Sequence, residues 1–432
     1  MIPVCTRLTC KIALLSLLAC SAGARAQTSA DAAERSARTQ DFIAAYNRRA
    51  EDVAMGALTE IARRWPKTLT QFDDRVVLNV TRGGGDTEAA DRGRYDLLNA
   101  LFDAHWRLRS EVEPAVAWGP LVRMLVDRRE WARAGQVMQR LRSPQTALMM
   151  RVDKRFDPLI RANASRFDVE ALAQEQVSDW QAATRRFSRR LYDAYDLMNA
   201  YLQKGDYAEA LRLADDALAR IATAKSPDDL YDDVPAVINW VYDARALALR
   251  GLGNWEEAQM DLENAMQEKE RGGRNVSNTI NLASYYAEFG RADEAMATLG
   301  SLTEPNSPVS RGGRMIVTAI VHAAALAKGN LRQAKDALDY LREHEADHPW
   351  VLQDELARAG RVDEAATQLI RLLRNLESRS VALAYVQEYL EVPASPGVQQ
   401  INRGRRQIVQ RSDVRAAVLE VGRIERFSIP RD

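Results

Sequence analysis

The chain has 432 residues carrying 60 basic and 60 acidic side chains, so its formal net charge is zero. Balanced charge excludes nucleic acid as a general partner, which needs a basic excess. The length exceeds what one compact hydrophobic core supports. Residues 1–26 read as a secretory leader. Arg7 and Lys11 form a positive start, Ile12 to Ala19 are apolar apart from Ser16, and Ala24-Arg25-Ala26 before Gln27 is an A-x-A cleavage site. The apolar run is too short to span a bilayer, and no later stretch reaches the ~18 apolar residues a span requires.

All three cysteines, Cys5, Cys10 and Cys20, lie in this leader. A chain cleaved after Ala26 therefore has no disulfide, thiolate metal site or cysteine nucleophile. It also loses Arg7, Lys11 and Arg25 but no acid, which leaves 57 basic against 60 acidic residues. The expected location is periplasmic or secreted, and the Ala- and Arg-rich composition looks bacterial. An alternative is an outer-membrane lipoprotein, because Leu17-Leu18-Ala19-Cys20-Ser21 resembles a lipoprotein cleavage box with a lipid anchor at Cys20.

Residues 27–38 are small and polar and read as a flexible tail. Residues 39–64 read as an amphipathic helix with Phe42, Ile43, Tyr46, Val53, Leu58 and Ile61 on its apolar side, stopped by Pro66. The run Val76-Val77-Leu78 with Val80 fits a buried helix better than a strand, and Gly83-Gly84-Gly85 breaks the chain. Residues 143–170 lack periodicity and contain Pro144 and Pro158, which makes them a joint.

Beyond the joint one phrase recurs: GDYAEAL from Gly205, GNWEEAQ from Gly253, GRADEAM from Gly290, GNLRQAK from Gly329 and GRVDEAA from Gly360. A recurrence in this range means stacked helical hairpins. The Gly ends one helix in the left-handed conformation. Asp206, Asn254 and Asn330 are suited to cap the next helix. The small residues Ala210, Ala258, Ala295, Ala334 and Ala365 let the two helices approach. After Glu391, Pro393 and Pro396 end the pattern, Ser412-Asp413 marks a last helix to about Arg423, and Phe427, Ile429 and Pro430 form an extended end.

These turns make the chain resemble the tetratricopeptide-repeat family. Its large first-helix residue appears as Tyr201, Leu249 and Tyr286, and as Ala325 in the fourth repeat. Trp118, Leu121, Leu125, Trp131, Ala134 and Met138 keep the same spacing upstream, with Arg129 at the turn-Gly position. The resemblance implies an all-α, right-handed α-solenoid of helix-turn-helix repeats. The expected organisation is a leader at 1–26, a tail at 27–38, degenerate helical repeats at 39–170, the clear array at 171–375, and capping helices with an Arg-rich tail at 376–432.

Little in the sequence points to catalysis. His344-Glu345-Ala346-Asp347-His348 spells H-E-x-x-H, which on a helix binds zinc with Glu as general base. Pro349 follows at once, so the segment reads as an exposed helix end. No phosphate loop follows Gly83-Gly84-Gly85, and no G-x-S-x-G occurs. No catalytic residue, metal ligand or cofactor is expected. Arg271-Gly-Gly-Arg274 and Arg311-Gly-Gly-Arg314 precede successive repeats and are candidates for an anion-binding rim.

The resemblance also places a ligand groove along the first helix of each repeat. The groove positions are Tyr195, Asp196 and Asn199, then Trp240, Asp243 and Leu247, then Ile280, Asn281 and Ser284, then Ala319, Ile320 and Ala323. Asn199 and Asn281 match asparagines that in some members hold a peptide's C-terminal carboxylate, although the matching lysines are missing. The function expected is an exported, non-catalytic scaffold or adaptor binding a protein or peptide segment. The alternatives are an envelope polysaccharide or peptidoglycan module, and a zinc hydrolase using His344, Glu345 and His348.

Overall fold

A computed structural model describes residues 29–83, 87–226, 230–270 and 272–431. The expected leader, with Cys5, Cys10 and Cys20, lies outside the described residues, as does Arg271. The described chain is helical apart from two short strands, and it forms two compact units. One unit runs up to Ser143 and includes Pro158–Arg166; the other comprises Pro144–Asp157 and Phe167–Asp432.

The first unit contains α1 (Ser29–Asn47), α2 (Glu51–Arg64), α3 (Asp74–Arg82), α4 (Glu88–Asp103), α5 (Ala115–Asp127) and α6 (Trp131–Met138). The second begins with α7 (Pro144–Arg151), and α8 (Asp157–Ala162) returns the chain to the first. Helix α1 corrects the expected loose tail. Glu34 pairs with Arg64, Arg38 with Glu60 at 2.7 Å, and Trp65 Nε1 donates to Asp31 at 3.0 Å, so partners on and just after α2 fix its polar start. The single helix expected over 39–64 is broken at Arg49.

In the second unit α9 (Val169–Arg186) leads into five hairpins: α10 (Leu191–Lys204) with α11 (Tyr207–Thr223), α12 (Val234–Leu252) with α13 (Trp255–Gln267), α14 (Val276–Glu288) with α15 (Ala292–Leu299), α16 (Arg311–Ala327) with α17 (Leu331–Glu343), and α18 (Pro349–Arg358) with α19 (Val362–Arg374). This is the all-α solenoid of tetratricopeptide-like repeats that the phrase predicts. All five turn glycines have positive φ, from 68° to 89°. At each, the next N–H reaches back to the first helix, as Asp206 N to Tyr201 O at 2.9 Å and Asn254 N to Leu249 O at 2.8 Å. The paired alanines are at most 4% exposed. Only Asn330 caps with its side chain, to Gln333 N at 3.2 Å; Asp206 instead binds Lys204.

The same turn recurs in the first unit without glycine. Arg49, His105 and Arg129 have φ of 59°, 52° and 61°, each followed by the same reaching N–H. A side chain there costs about 1–2 kcal/mol, which the packed helices on either side offset.

After α20 (Arg379–Tyr385) come β1 (Glu388–Leu390), α21 (Pro396–Gln410), α22 (Ser412–Val421) and β2 (Arg426–Pro430), with β1 and β2 pairing in parallel. This segment covers the last hairpin, α21 against α18 and α22 against α19. It also runs back past the C-terminal ends of the first helices. Leu390 and Pro430 lie against Gly205, and Pro393 against Gly253. Ser395 Oγ donates to Glu288 at 2.8 Å. It ends beside the start of the unit, where Arg423 N donates to Val152 O at 3.0 Å, Arg151 pairs with Glu425 at 2.7 Å and Arg423 with Asp157 at 2.5 Å. Asp153 is fully buried there, bonded to Arg155 at 2.8 Å and Ser380 at 2.9 Å.

Two substitutions test this account. Gly290 has open space around its Cα, so Gly290→Ala isolates the left-handed strain and should cost about 1 kcal/mol in chemical denaturation. Gly404 abuts the Ala357 carbonyl with no room for a Cβ. Gly404→Val should lift α21 from α18 and expose the bonds after Arg403, Arg405 and Arg406 to trypsin, which mass spectrometry of the digest would detect.

Candidate functional site

The first helices of the first three hairpins converge on a polar seam. On α10, Tyr195, Asp196 and Asn199 fall within about one turn and share a face. On α12, Asn239 and Asp243 are four residues apart, and on α14 Asn278 and Asn281 are three apart, so each pair also projects together. The seam between α12 and α14 is a chain of amides ending on a carboxylate. Asn239 Nδ2 donates to Asn278 Oδ1 at 2.8 Å, Asn278 Nδ2 to Asp243 Oδ1 at 3.2 Å, and Asn281 Nδ2 to the same oxygen at 2.9 Å. Asn275 fixes Asn278 from the start of α14, donating to its Oδ1 at 2.8 Å and accepting from its N–H at 3.0 Å. Asn239 Oδ1 is buried without a donor.

Four of the six predicted groove residues therefore come together. Asp243 joins Asn281 directly, and Tyr195, one helical turn from Asn199, lies close enough to feel the Asp243 charge. Trp240 and Ser284 sit half-buried on the same two helices. Ile280 and Ile320 are instead core residues between hairpins, so the fourth repeat adds no open groove position there.

The seam is acidic. Burial pushes the Asp196 carboxyl well above its usual range, the nearby Asp193 charge adds to this, and Arg190 opposes it. Asp196 has no hydrogen bond or ion pair among the described residues. Burial also raises Asp243, against the hydrogen bonds from Asn281 and Asn278, and raises the Tyr195 phenol. A carboxylate clamp by Asn199 and Asn281 does not fit this geometry. Asn281 already serves Asp243, so an incoming carboxylate at its amide would meet the Asp243 carboxyl. The spacing of Asp196 and Asp243 was visible in the sequence. The buried amide relay through Asn239 and Asn278 was not, because neither occupies a groove position in the family pattern.

Two of the four rim arginines, Arg274 and Arg314, are used internally. Glu270 Oε2 accepts the N–H groups of Val276 and Ser277, both at 3.0 Å, so an acid of the chain already holds the start of α14. Arg274 donates to Ser301 Oγ at 2.9 Å, and Arg314 to Leu302 O at 2.7 Å and to Ser307. Both therefore knit the loop before α16, while Arg311 is exposed. The H-E-x-x-H segment is not one helix. Helix α17 ends at Glu343, Glu345–Asp347 form a 3-10 turn, and His348 precedes α18 with φ −166°. His344 stacks on Tyr340 at 4.0 Å and Glu345 pairs with Arg371, so the two imidazoles do not share a helical face. Among the described residues no group of three His, Cys, Asp or Glu side chains is placed to hold a metal.

No family model matches the chain, and no curated protein matches it. Among solved structures the chain is similar to that of a Rap protein complexed with competence and sporulation factor. The identity is 12% and the TM-score 0.32, over 87% of this chain and 99% of that one.

The raised carboxyls give a pH signature. A carboxyl raised on folding stabilises the fold below its unfolded value of 3.8, and that contribution is lost as pH rises through the folded value. Asp196→Asn should therefore raise the melting temperature at pH 7 and flatten its fall above pH 3.8. Melting curves from pH 3 to 8 would check this, and a variant less stable at pH 7 would refute the burial argument.

Proposed function

We propose that the second unit is a non-catalytic binding scaffold that takes a peptide segment of a protein client along α10, α12 and α14, with a Lys or Arg side chain of the client against Asp196 and Asp243. The observations that carry this reading are the half-buried Asp196 on α10, which lacks a partner, and the hydrogen-bonded carboxylate Asp243 on the neighbouring first helix α12, whose charge reaches Tyr195 next to Asp196. A buried carboxylate is costly unless paired, and a cationic side chain would lower that cost on binding. Helical-repeat surfaces hold extended segments in this manner through a few buried anchors. On the strength of the leader at residues 1–26 we also place the protein outside the cytoplasm, and recovery of a mature form beginning at Gln27 would test that.

Fluorescence anisotropy with acetylated, amidated decapeptides carrying one central Lys, Arg, Gln or Glu tests the binding mode. The Lys and Arg peptides should bind about tenfold tighter than the Gln peptide, and Asp196→Asn with Asp243→Asn should remove the difference. Preference for the Glu peptide, or an unchanged preference in the double variant, would defeat the proposal. Retention on peptidoglycan that disappears in Trp240→Ala would point to a polysaccharide ligand instead.

A further inference from the structure

A second charge imbalance lies where α18, α20, α21 and the chain end meet. Arg405, on α21, is half-buried and donates Nη1 to the Tyr385 carbonyl at 3.2 Å. It makes no ion pair among the described residues. Its guanidinium lies 6.0 Å from the centroid of the Tyr385 ring, and that of Arg431 lies 4.6 Å from the same centroid. Among the described residues Arg431 pairs with Asp354, at 3.8 Å, too long for a hydrogen bond. Tyr385 is 5% exposed and stacks on Trp350 at 5.9 Å, and its hydroxyl faces the Asp354 carboxylate without a hydrogen bond of good geometry. Two guanidiniums thus share one ring and one loosely placed carboxylate. Burial and the charge of Arg431 push Arg405 down to about 10, as expected for a cation short of an anion.

The groups left over are one acceptor, Asp354 Oδ1, against a larger set of donors: the remaining N–H groups of Arg405, the fork of Arg431 and the Tyr385 hydroxyl. Together they ask for an acceptor with negative charge. Among the described residues Arg405, Arg431 and Asp354 sum to one net positive charge, which a monoanion balances. A phosphate dianion would leave an excess negative charge beside Asp354. Guanidinium forks match the planar carboxylate in geometry as well. The Trp350 and Tyr385 rings give such a ligand an apolar wall.

We propose that Arg405 and Arg431, over the ring of Tyr385, form a binding site for a carboxylate group carried on an apolar body. The site shares no element with the α10–α14 seam, so it stands or falls separately from the binding mode proposed there. The carboxylate can come from a free small acid or from the C-terminus of a peptide, and the two sources have the same headgroup chemistry.

Isothermal titration of the mature protein tests the site with four probes: N-acetylphenylalanine, its C-terminal amide, inorganic phosphate, and an amino-acetylated tripeptide ending in free phenylalanine. N-acetylphenylalanine should bind about tenfold tighter than the amide, and Arg405→Gln or Arg431→Gln should abolish that difference. A tripeptide binding tighter still identifies a peptide terminus as the source, whereas a weaker one identifies a small acid. Asp354→Asn raises the site charge by one and should shift preference toward phosphate, a readout that simple destabilisation would not produce. The assignment fails if the amide binds as well as the acid, or if phosphate is preferred by the unaltered protein. It also fails if both arginine variants, shown folded by their melting curves, keep the acid-to-amide ratio.

Discussion

The second unit depends on the seam between its start and its end, and Asp153 is the centre of that seam. A fully buried carboxylate is tolerable only with close partners, and here Arg155 and Ser380 supply them while the backbone of Val152 receives Arg423. Removing one partner of such a pair typically costs 3–5 kcal/mol. The pair thus ties the short α7 segment to α20 and to the last residues of the chain. An open solenoid needs only neighbour contacts; this one adds contacts between segments at opposite ends of its sequence. The C-terminal residues cover the last hairpin and also touch the turns of the first two, at Gly205 and Gly253.

That arrangement leaves the middle of the first helices α10, α12 and α14 to carry polar chemistry. The seam there spends amide groups on holding one carboxylate, Asp243, while Asp196 stays without a partner. Polar networks in low dielectric are stable when fully satisfied and costly when not. Within this network the Asn239 carbonyl oxygen is the unmatched member, fully buried and without a donor. The Arg405–Arg431 cluster shows the same logic with the opposite sign.

Much of the architecture was legible because glycine signals a left-handed turn directly, and five glycines did so in series. The turns at Arg49, His105 and Arg129 were less legible, since there the left-handed conformation is imposed by packed helices rather than by the local residue. The start of α1 was hidden for a related reason. Its residues are small and polar, and what holds them helical is a set of partners on and just after α2. At the seam, helical spacing put Tyr195, Asp196 and Asn199 on one face and Asn281 on another first helix. The family pattern assigns Asn281 to a ligand, whereas here Asp243 takes its amide. No local pattern joins Arg405 to Arg431, because only the return of β2 to α20 brings them together.

The pairing of Arg151 with Glu425, 274 positions apart, bears on how the molecule is made. Joining two points so distant in an unfolded chain costs on the order of 5 kcal/mol in conformational freedom. The hairpins between them can form as soon as each leaves the ribosome, since their contacts are local. Closure cannot begin until Glu425 has been synthesised. Until then the faces of α18 and α19 that α21 and α22 will cover stay exposed, and with them the surfaces that receive Ile408, Val418 and Phe427. A nascent chain therefore passes through a stage with a nearly complete array and an uncovered apolar end.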